Sequence, residues 1–312
     1  GEGVKFRECY VPHHKDAVVA SIDFKGQELR QGAGQSMDEN MLSCFVGDNL
    51  RDMHSMTAAG AMEKKWGKTA LAEMIERFGK PGDTEYDLFT RLHELVEDEA
   101  VAKMADDLRK VAKNVNFGAQ YDAMAPKLAE TLIIPVADAQ AFLEAKFAMF
   151  PRFEEWKEEV KAEIGRLGYV TTCMGARRHL REAILSDNKW DIEKAMRQGP
   201  NFRIQGSSAE QTKLAMARVW RSGVLWKYDV VFFAPIHDEL VFSVHRDHAL
   251  EVIKIFHDAM VEPYGNLPVP FLGSISLGPN FGKQYEAGDW YIEENIKEIL
   301  AKIFSGEVAE VV

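Results

Sequence analysis

The sequence predicts an α+β protein: an antiparallel sheet that carries acidic side chains, with a helical subdomain inserted into it. Three observations lead there. The run Ala17-Val18-Val19-Ala20-Ser21-Ile22-Asp23-Phe24 is apolar and rich in β-branched residues, and it reads as a buried strand with an acid near its end. Residues 228–244 are almost unbroken strand former except at Ile236-His237-Asp238-Glu239, which reads as a β-hairpin with acids at its turn. Most of the chain between these two stretches has helical patterning.

In chain order, the pattern is helical over 28–45 and again over 54–116, where Gly79-Lys80-Pro81-Gly82 marks a turn. A further helical stretch spans 137–166 and breaks near Pro151, and residues 167–172 begin a short hairpin that leads to Arg177 and Arg178. Residues 197–208 read as a Gly-containing entrance to a helix over 209–220, with Ser208 as an N-cap in the plainest version. Near the end, Ile292, Ile296, Ile299 and Ile303 share one helical face. That stripe either docks a partner chain or packs against the chain's own sheet.

Bulk properties narrow the class. With 312 residues, 46% of them hydrophobic, the chain can bury one large core or two smaller ones. A charged fraction of 28% does not point to disorder. Cys9, Cys44 and Cys173 lie far apart, which argues against a disulfide framework or a zinc site and favours a reducing compartment. No apolar run approaches the roughly 18 residues of a membrane span, and the N-terminus does not read as a signal peptide. A cytoplasmic location without membrane contact is expected. The net charge of −11 runs against the simplest nucleic-acid signature and by itself suggests a metabolic enzyme. A nucleic-acid enzyme with this charge would have to gather its bases along the substrate path.

Three constellations could carry chemistry. Asp23 and Asp238 stand in apolar surroundings, where a carboxylate is costly unless it is paired or binds a cation. Two such acids could hold divalent ions about 3.5–4 Å apart, the clamp used for in-line phosphoryl displacement, and hard oxygen ligands favour Mg2+ or Mn2+. Taken singly, each acid could equally cap a turn or pair with a base. Next, Arg109, Lys113, Phe117 and Tyr121 recur every fourth residue and so share one helical stripe, at steps of about 6 Å. Two cations followed by two rings match the phosphates, sugar and base of a nucleoside triphosphate; a plain amphipathic helix explains the same spacing. Gly118 weakens that plain version, because glycine inside a helix often marks a close approach. Last, Arg197, Asn201 and Gln205 suit contacts to nucleic-acid phosphates and minor-groove base edges.

Together these segments resemble the family A DNA polymerases, typified by bacterial DNA polymerase I and many phage replicases. Asp23-Phe24-Lys25-Gly26-Gln27-Glu28-Leu29-Arg30 is similar to the family's first palm motif. The stretch from Arg109 to Tyr121 resembles its nucleotide-binding fingers helix, and Ile236-His237-Asp238-Glu239-Leu240-Val241 its last palm motif. Lesser matches are Asp52-Met53-His54, Gly175-Ala176-Arg177-Arg178 and Gln205-Gly206. The matches keep the family's order from about residue 2 to residue 284.

The resemblance implies a template-directed DNA polymerase that adds dNTPs to a primer 3′-hydroxyl with two Mg2+ ions, Mn2+ being an alternative. Asp23, Asp238 and the Phe24 carbonyl would bind the metals, with Glu239 beside them. Arg109 and Lys113 would bind the triphosphate, and Lys113 would protonate the leaving pyrophosphate. Phe117 would pack on the incoming sugar and base, Tyr121 would guard the template position, and Glu28 would exclude a ribose 2′-hydroxyl. His54 would lie near the incoming phosphates and His237 near the primer end. Arg197, Asn201 and Gln205 would follow the primer–template.

The implied layout is palm over 1–54, fingers over 55–183, palm again over 184–285, and a C-terminal amphipathic helical tail over 286–312. Thumb and exonuclease domains are expected to be absent, so the chain is either a fragment or one subunit of a split polymerase whose partner chain supplies one or both; the split and the divergent motifs point towards a phage polymerase working in the host cytoplasm. Phe24 stands where the family usually has Tyr, Gly26 where it has Gln, and Asp122 where it has Gly. These departures touch fidelity and fingers closure and leave the metal ligands intact. Phe117, rather than Tyr, suggests discrimination against dideoxynucleotides. Two rivals remain: a DNA-binding subunit inactive without its partner chain, and a single-subunit RNA polymerase relative, against which Glu28 argues.

Overall fold

The computed structural model describes residues 6–120 and 123–305. Its elements begin with β1 (Ala17–Phe24), α1 (Gln27–Ser36), α2 (Glu39–Leu42), α3 (Met53–Trp66), α4 (Lys68–Phe78) and α5 (Glu85–His93). Next come α6 (Glu99–Gln120), α7 (Ala125–Leu132), α8 (Val136–Met149), α9 (Pro151–Leu167), β2 (Tyr169–Thr171), β3 (Arg177–His179), α10 (Arg181–Ile184) and α11 (Lys189–Ser222). The chain ends with α12 (Val224–Lys227), β4 (Val231–Ile236), β5 (Glu239–His245), α13 (Ala249–Val261), β6 (Gly273–Asn280), β7 (Lys283–Gly288) and α14 (Glu293–Ser305). They pack as two compact units. The first holds residues up to 31, 172–176 and from 204 onward; the second holds 32–171 and 177–203.

The first unit is built on an antiparallel sheet of order β4-β5-β1-β6-β7. β1 is central because both its faces are apolar, and a strand alternates its side chains between faces. Val18, Ala20, Ile22 and Phe24 enter one core with Phe242 of β5 and Val252, Ile253, Phe256 and Met260 of α13. The rings of Phe242 and Phe256 stack with centroids 3.8 Å apart. Val19 points the other way, to Val241 and Phe281. Each fully buried Val, Ile or Phe contributes on the order of 1.5–3 kcal/mol, enough to fix the register of the central strand.

Asp23 follows the same alternation onto the Val19 side. The sequence reads as a buried acid, but the structure buries the six preceding residues and leaves Asp23 exposed. The tail also resolves. Ile296 and Ile299 are buried in the first unit's core, with Ile303 packed against it, whereas Ile292 is exposed and precedes α14. Ile296, Ile299 and Ile303 therefore pack against the chain's own sheet, as the second alternative has it, and Ile292 takes no part.

The second unit is helical around Ala58, Met62, Phe89, Leu92, Leu108 and Phe142. Asp52 caps α3 by accepting from the Ser55 N–H, and Thr84 with Asp87 forms a capping box on α5. On α6, Val101, Ala105, Leu108, Ala112, Val115 and Ala119 are buried at steps of three and four, so the opposite face is left for polar work. Gly118 serves close packing: a Cβ there would stand 2.4 Å from Leu128 Cδ2 of α7.

Residues 197–208 are not a loop, and Ser208 is not an N-cap, because α11 runs unbroken through them with Pro200 inside. Proline removes one backbone donor and costs about 3 kcal/mol in a helix interior. Burial offsets this: Gly199 and Pro200 are both buried, and a Cβ on Gly199 would fall 1.9 Å from Ile164 Cδ1 of α9. Cys9, Cys44 and Cys173 form no disulfide among the described residues.

Candidate active site

β1 and the β4–β5 hairpin bring three carboxylates together in the first unit. Asp23 lies opposite Glu239 in the ladder, and the Phe24 N–H donates to the Asp238 carbonyl at 3.2 Å. His237 and Asp238 form the two-residue loop between the paired Ile236 and Glu239. Closing the hairpin so tightly holds His237 at φ 58°, a conformation costing on the order of 1–3 kcal/mol for a non-glycine residue. Such strain persists only where the surroundings fix it, and here it aims Asp238 beside β1.

The carboxylates perturb one another. Asp23 is pushed up to about 7, first by lost hydration, then by the charges of Asp238 and Glu239. The residue is open to solvent along its strand, yet its carboxylate is crowded by protein and by like charge, and the crowding governs its titration. Glu239 is also raised, by burial first and by Asp238, against a Ser21 hydrogen bond and the charge of Arg7. None of the three has an ion pair among the described residues. An all-oxygen, acidic donor set, offset only at Glu239 by Ser21 and Arg7, fits a hard divalent cation.

Beside them lies a cavity of about 300 Å³ lined by Gln27, Glu28, Gln205, Ser208, His237 and Asp238. Glu28 is raised by burial and then by the Asp238 charge, with a Gln205 hydrogen bond opposing. Under this cavity sits a buried amide cluster that sequence reasoning missed. Gln27 Nε2 donates to the Ser208 carbonyl at 3.2 Å and to Gln211 Oε1 at 3.1 Å, and Gln31 Nε2 donates to the same Oε1 at 3.1 Å. The available signal was glutamine at i and i+4 on the face of α1 that should be apolar.

The second unit assembles the α6 stripe. Arg109 forks onto Asp52, Nε to Oδ1 at 3.0 Å and Nη2 to Oδ2 at 2.9 Å, which leaves Nη1 for another acceptor. Burial raises Asp52, but hydrogen bonds from Arg109 and Ser55 prevail and its pKa is lowered overall. Lys113 is exposed, and Phe117, 37% exposed, lies 5.8 Å from the His54 ring. His54 is pushed down to about 4 by burial, with Arg109 and Lys113 adding to this against Asp52. Asn116 Nδ2 stands 3.1 Å from its Nδ1, so the ring is held neutral by a network of α3 and α6. Tyr121 lies outside the described residues. Arg197, Asn201 and Gln205 occur at four-residue steps on α11 and share a face, with Arg197 and Asn201 in the second unit and Gln205 in the first. The Asn201 Oδ1 is buried and has no partner among the described residues.

Comparison with known proteins turns this arrangement into an assignment. The sequence signature of DNA polymerase family A matches residues 69–283, a span that contains Arg109, Lys113 and Asp238. The chain belongs to DNA polymerase family A. As a family A chain it is 30% identical over 279 residues to the thermostable DNA polymerase I of Thermus aquaticus, covering 89% of this chain and 28% of that protein. It is 28% identical over 281 residues to DNA polymerase I of Bacillus subtilis, covering 90% of this chain and 27% of that one. The polymerase domain of Pol1 from M. smegmatis, solved in complex with DNA primer-template and dNTP, matches with a TM-score of 0.69 at 25% identity. That match covers 90% of this chain and 42% of the other. The family resemblance read from the motifs therefore holds, as does the mixed α+β class with an antiparallel sheet. The chain spans under a third of the curated relatives' length. No helix among the described residues is long and apolar enough to cross a membrane.

Proposed function

We propose that this chain is the catalytic palm-and-fingers part of a template-directed DNA polymerase that adds dNTPs to a primer 3′-hydroxyl. The observation that carries the reading is the convergence of Asp23, Asp238 and Glu239 at the end of β1 and the hairpin turn, with no ion pair among the described residues and with the pKa values of Asp23 and Glu239 raised. Asp23, Asp238 and the Phe24 carbonyl would hold Mg2+, with Mn2+ able to replace it. Bound there, divalent ions supply charge neutralisation at the transferring phosphoryl group and acidify the primer hydroxyl.

The chain's own residues do the rest. Arg109, oriented by Asp52, offers Nη1 to a phosphate, and the exposed Lys113 one turn on offers a second cation and a proton for the departing pyrophosphate. Phe117 gives an exposed ring face for the sugar and base, and Tyr121 serves the template position. His54, kept neutral, can hydrogen-bond a phosphate without adding charge. Glu28, on the wall of the cavity that Asp238 also lines, excludes a 2′-hydroxyl. His237 serves the primer end, and Arg197, Asn201 and Gln205 the duplex.

Two features support the sugar assignment over a ribonucleotide enzyme: Glu28 is half-buried, and the amide cluster anchors the neighbouring Gln27. The test is primer extension on a defined template with deoxy- and ribonucleotides, run with this chain alone and with the remainder of its polymerase. Extension restricted to dNTPs supports the reading, and extension only when the remainder is added makes the activity partner-dependent. Equal use of rNTPs, or no extension in either format, overturns it.

A further inference from the structure

We propose a second metal site, of transition-metal rather than magnesium type, made by His14, Asp16 and His245. One ring nitrogen of each histidine and one Asp16 carboxylate oxygen lie within 4.8 Å of one another, the one such trio found among the described residues. Sequence spacing could not reveal it, since 230 positions separate the two ends. The cysteine pattern argues against zinc, but these donors are histidines.

The sheet builds the site. Ala17 pairs with His245 in the β1–β5 ladder, and the Arg246 N–H donates to the Asp16 carbonyl at 2.8 Å. The segment leading into β1 is thus fixed against the end of β5, with the two imidazole centroids 5.6 Å apart. A tetrahedral ion with bonds of about 2.0–2.2 Å holds its ligand atoms roughly 3.3–3.6 Å apart, so side-chain shifts of about an ångström close the set. Asp16 Oδ1 faces Arg246 at 3.7 Å, which leaves Oδ2 as the ligand oxygen. The Asp247 N–H donates to His245 Nδ1 at 3.3 Å. Ligation through Nε2 moves the ring proton to Nδ1, where the Asp247 carboxylate stands 3.5 Å away to accept it. That is the usual outer support of a metal-bound histidine.

His14 and His245 line a hollow of about 550 Å³ that His13 and His248 also line, so four of the chain's nine histidines share one depression. The His248 ring, 6.1 Å from that of His245, is placed to give a fourth ligand; water is the alternative. Two imidazoles and one carboxylate select Zn2+, Co2+, Ni2+ or Cu2+, whereas the all-oxygen set at Asp23 and Asp238 selects Mg2+ or Mn2+. The ion would staple the lead-in segment to β5 and take no part in nucleotide chemistry.

Zn2+ binding is measured by equilibrium dialysis with metal analysis, in millimolar Mg2+ so that the oxygen site is filled, and by thermal unfolding. One Zn2+ per chain is expected, with Tm rising by roughly 3–8 °C at a hundredfold excess over Kd. Co2+ should give the visible bands of a four-coordinate ion. His245→Ala, and His14→Gln on its exposed segment as the variant safer for folding, should each lose the ion and the Tm rise. A wild-type chain that binds no Zn2+, or variants that bind it as well as wild type, overturns the proposal. So does a stoichiometry lost with Asp238→Asn but kept with His245→Ala, which would place the ion at the carboxylates.

Discussion

The Arg109–Asp52 fork sets the position of the proposed phosphate-binding arginine, and its strength can be worked from the geometry. Asp52 does two jobs, as N-cap of α3 through the Ser55 N–H at 2.7 Å and as acceptor of both Arg109 bonds. Losing an N-cap costs about 1 kcal/mol. The ion pair would be worth several kcal/mol if buried, but the side chains are 30% and 40% exposed, so solvent screening reduces it to about 1 kcal/mol. Asp52→Ala should therefore lose about 2 kcal/mol in urea unfolding, and Asp52→Asn, which still caps, about 1 kcal/mol. In a cycle with Arg109→Ala the coupling should be about 1 kcal/mol. Freed from its fork, Arg109 loses preorganisation, and KM for the incoming dNTP should rise roughly five- to tenfold with Asp52→Asn. A coupling below about 0.3 kcal/mol, together with an unchanged KM, would refute the claim that Asp52 orients Arg109.

Other outcomes follow from the same structure. His54 has a folded pKa pushed down to about 4, below its unfolded value, so protons favour the unfolded chain as pH falls through 6.5. Wild type should lose about 2 kcal/mol more than His54→Gln between pH 7 and pH 5, measured by urea unfolding at each pH; equal losses would contradict it. Gly199→Ala should cost about 1–3 kcal/mol by pushing against Ile164, and Ile164→Val should recover part of that in the double variant. Glu28→Ala should lower discrimination against ribonucleotides by roughly 10–200-fold in competitive incorporation, with dNTP use less affected.

Much of this was legible from residue type and period. The eight residues of β1 and the hairpin around His237 and Asp238 are local signals, strengthened by core burial, and both form where the pattern puts them. The α6 stripe was legible because its buried positions step by three and four, leaving Arg109, Lys113 and Phe117 on the other face. Asp23's exposure does not follow from strand parity, since Val19 and Ser21 on the same face are buried; it comes from the place of Asp23 near the end of β1. What stayed hidden depends on distant partners. Gly199-Pro200 reads as a break, and only the packing of α9 against it makes a continuous α11 affordable. Gln211 has no local signal, and its role comes only from Gln27 and Gln31, which donate to it from α1. Asp52 enters the sequence reading only within a lesser motif match, and nothing local announces that Arg109, 57 positions on, binds it.

The central claim is that the carboxylates at the meeting of β1 and the hairpin perform nucleotidyl transfer. Single-turnover incorporation of one dNTP by the intact polymerase, wild type against Asp238→Ala, with duplex affinity measured in parallel, tests it most directly. The rate should fall by roughly a thousandfold or more while DNA affinity stays within about twofold. A variant that extends primer at a near-normal rate would contradict the account.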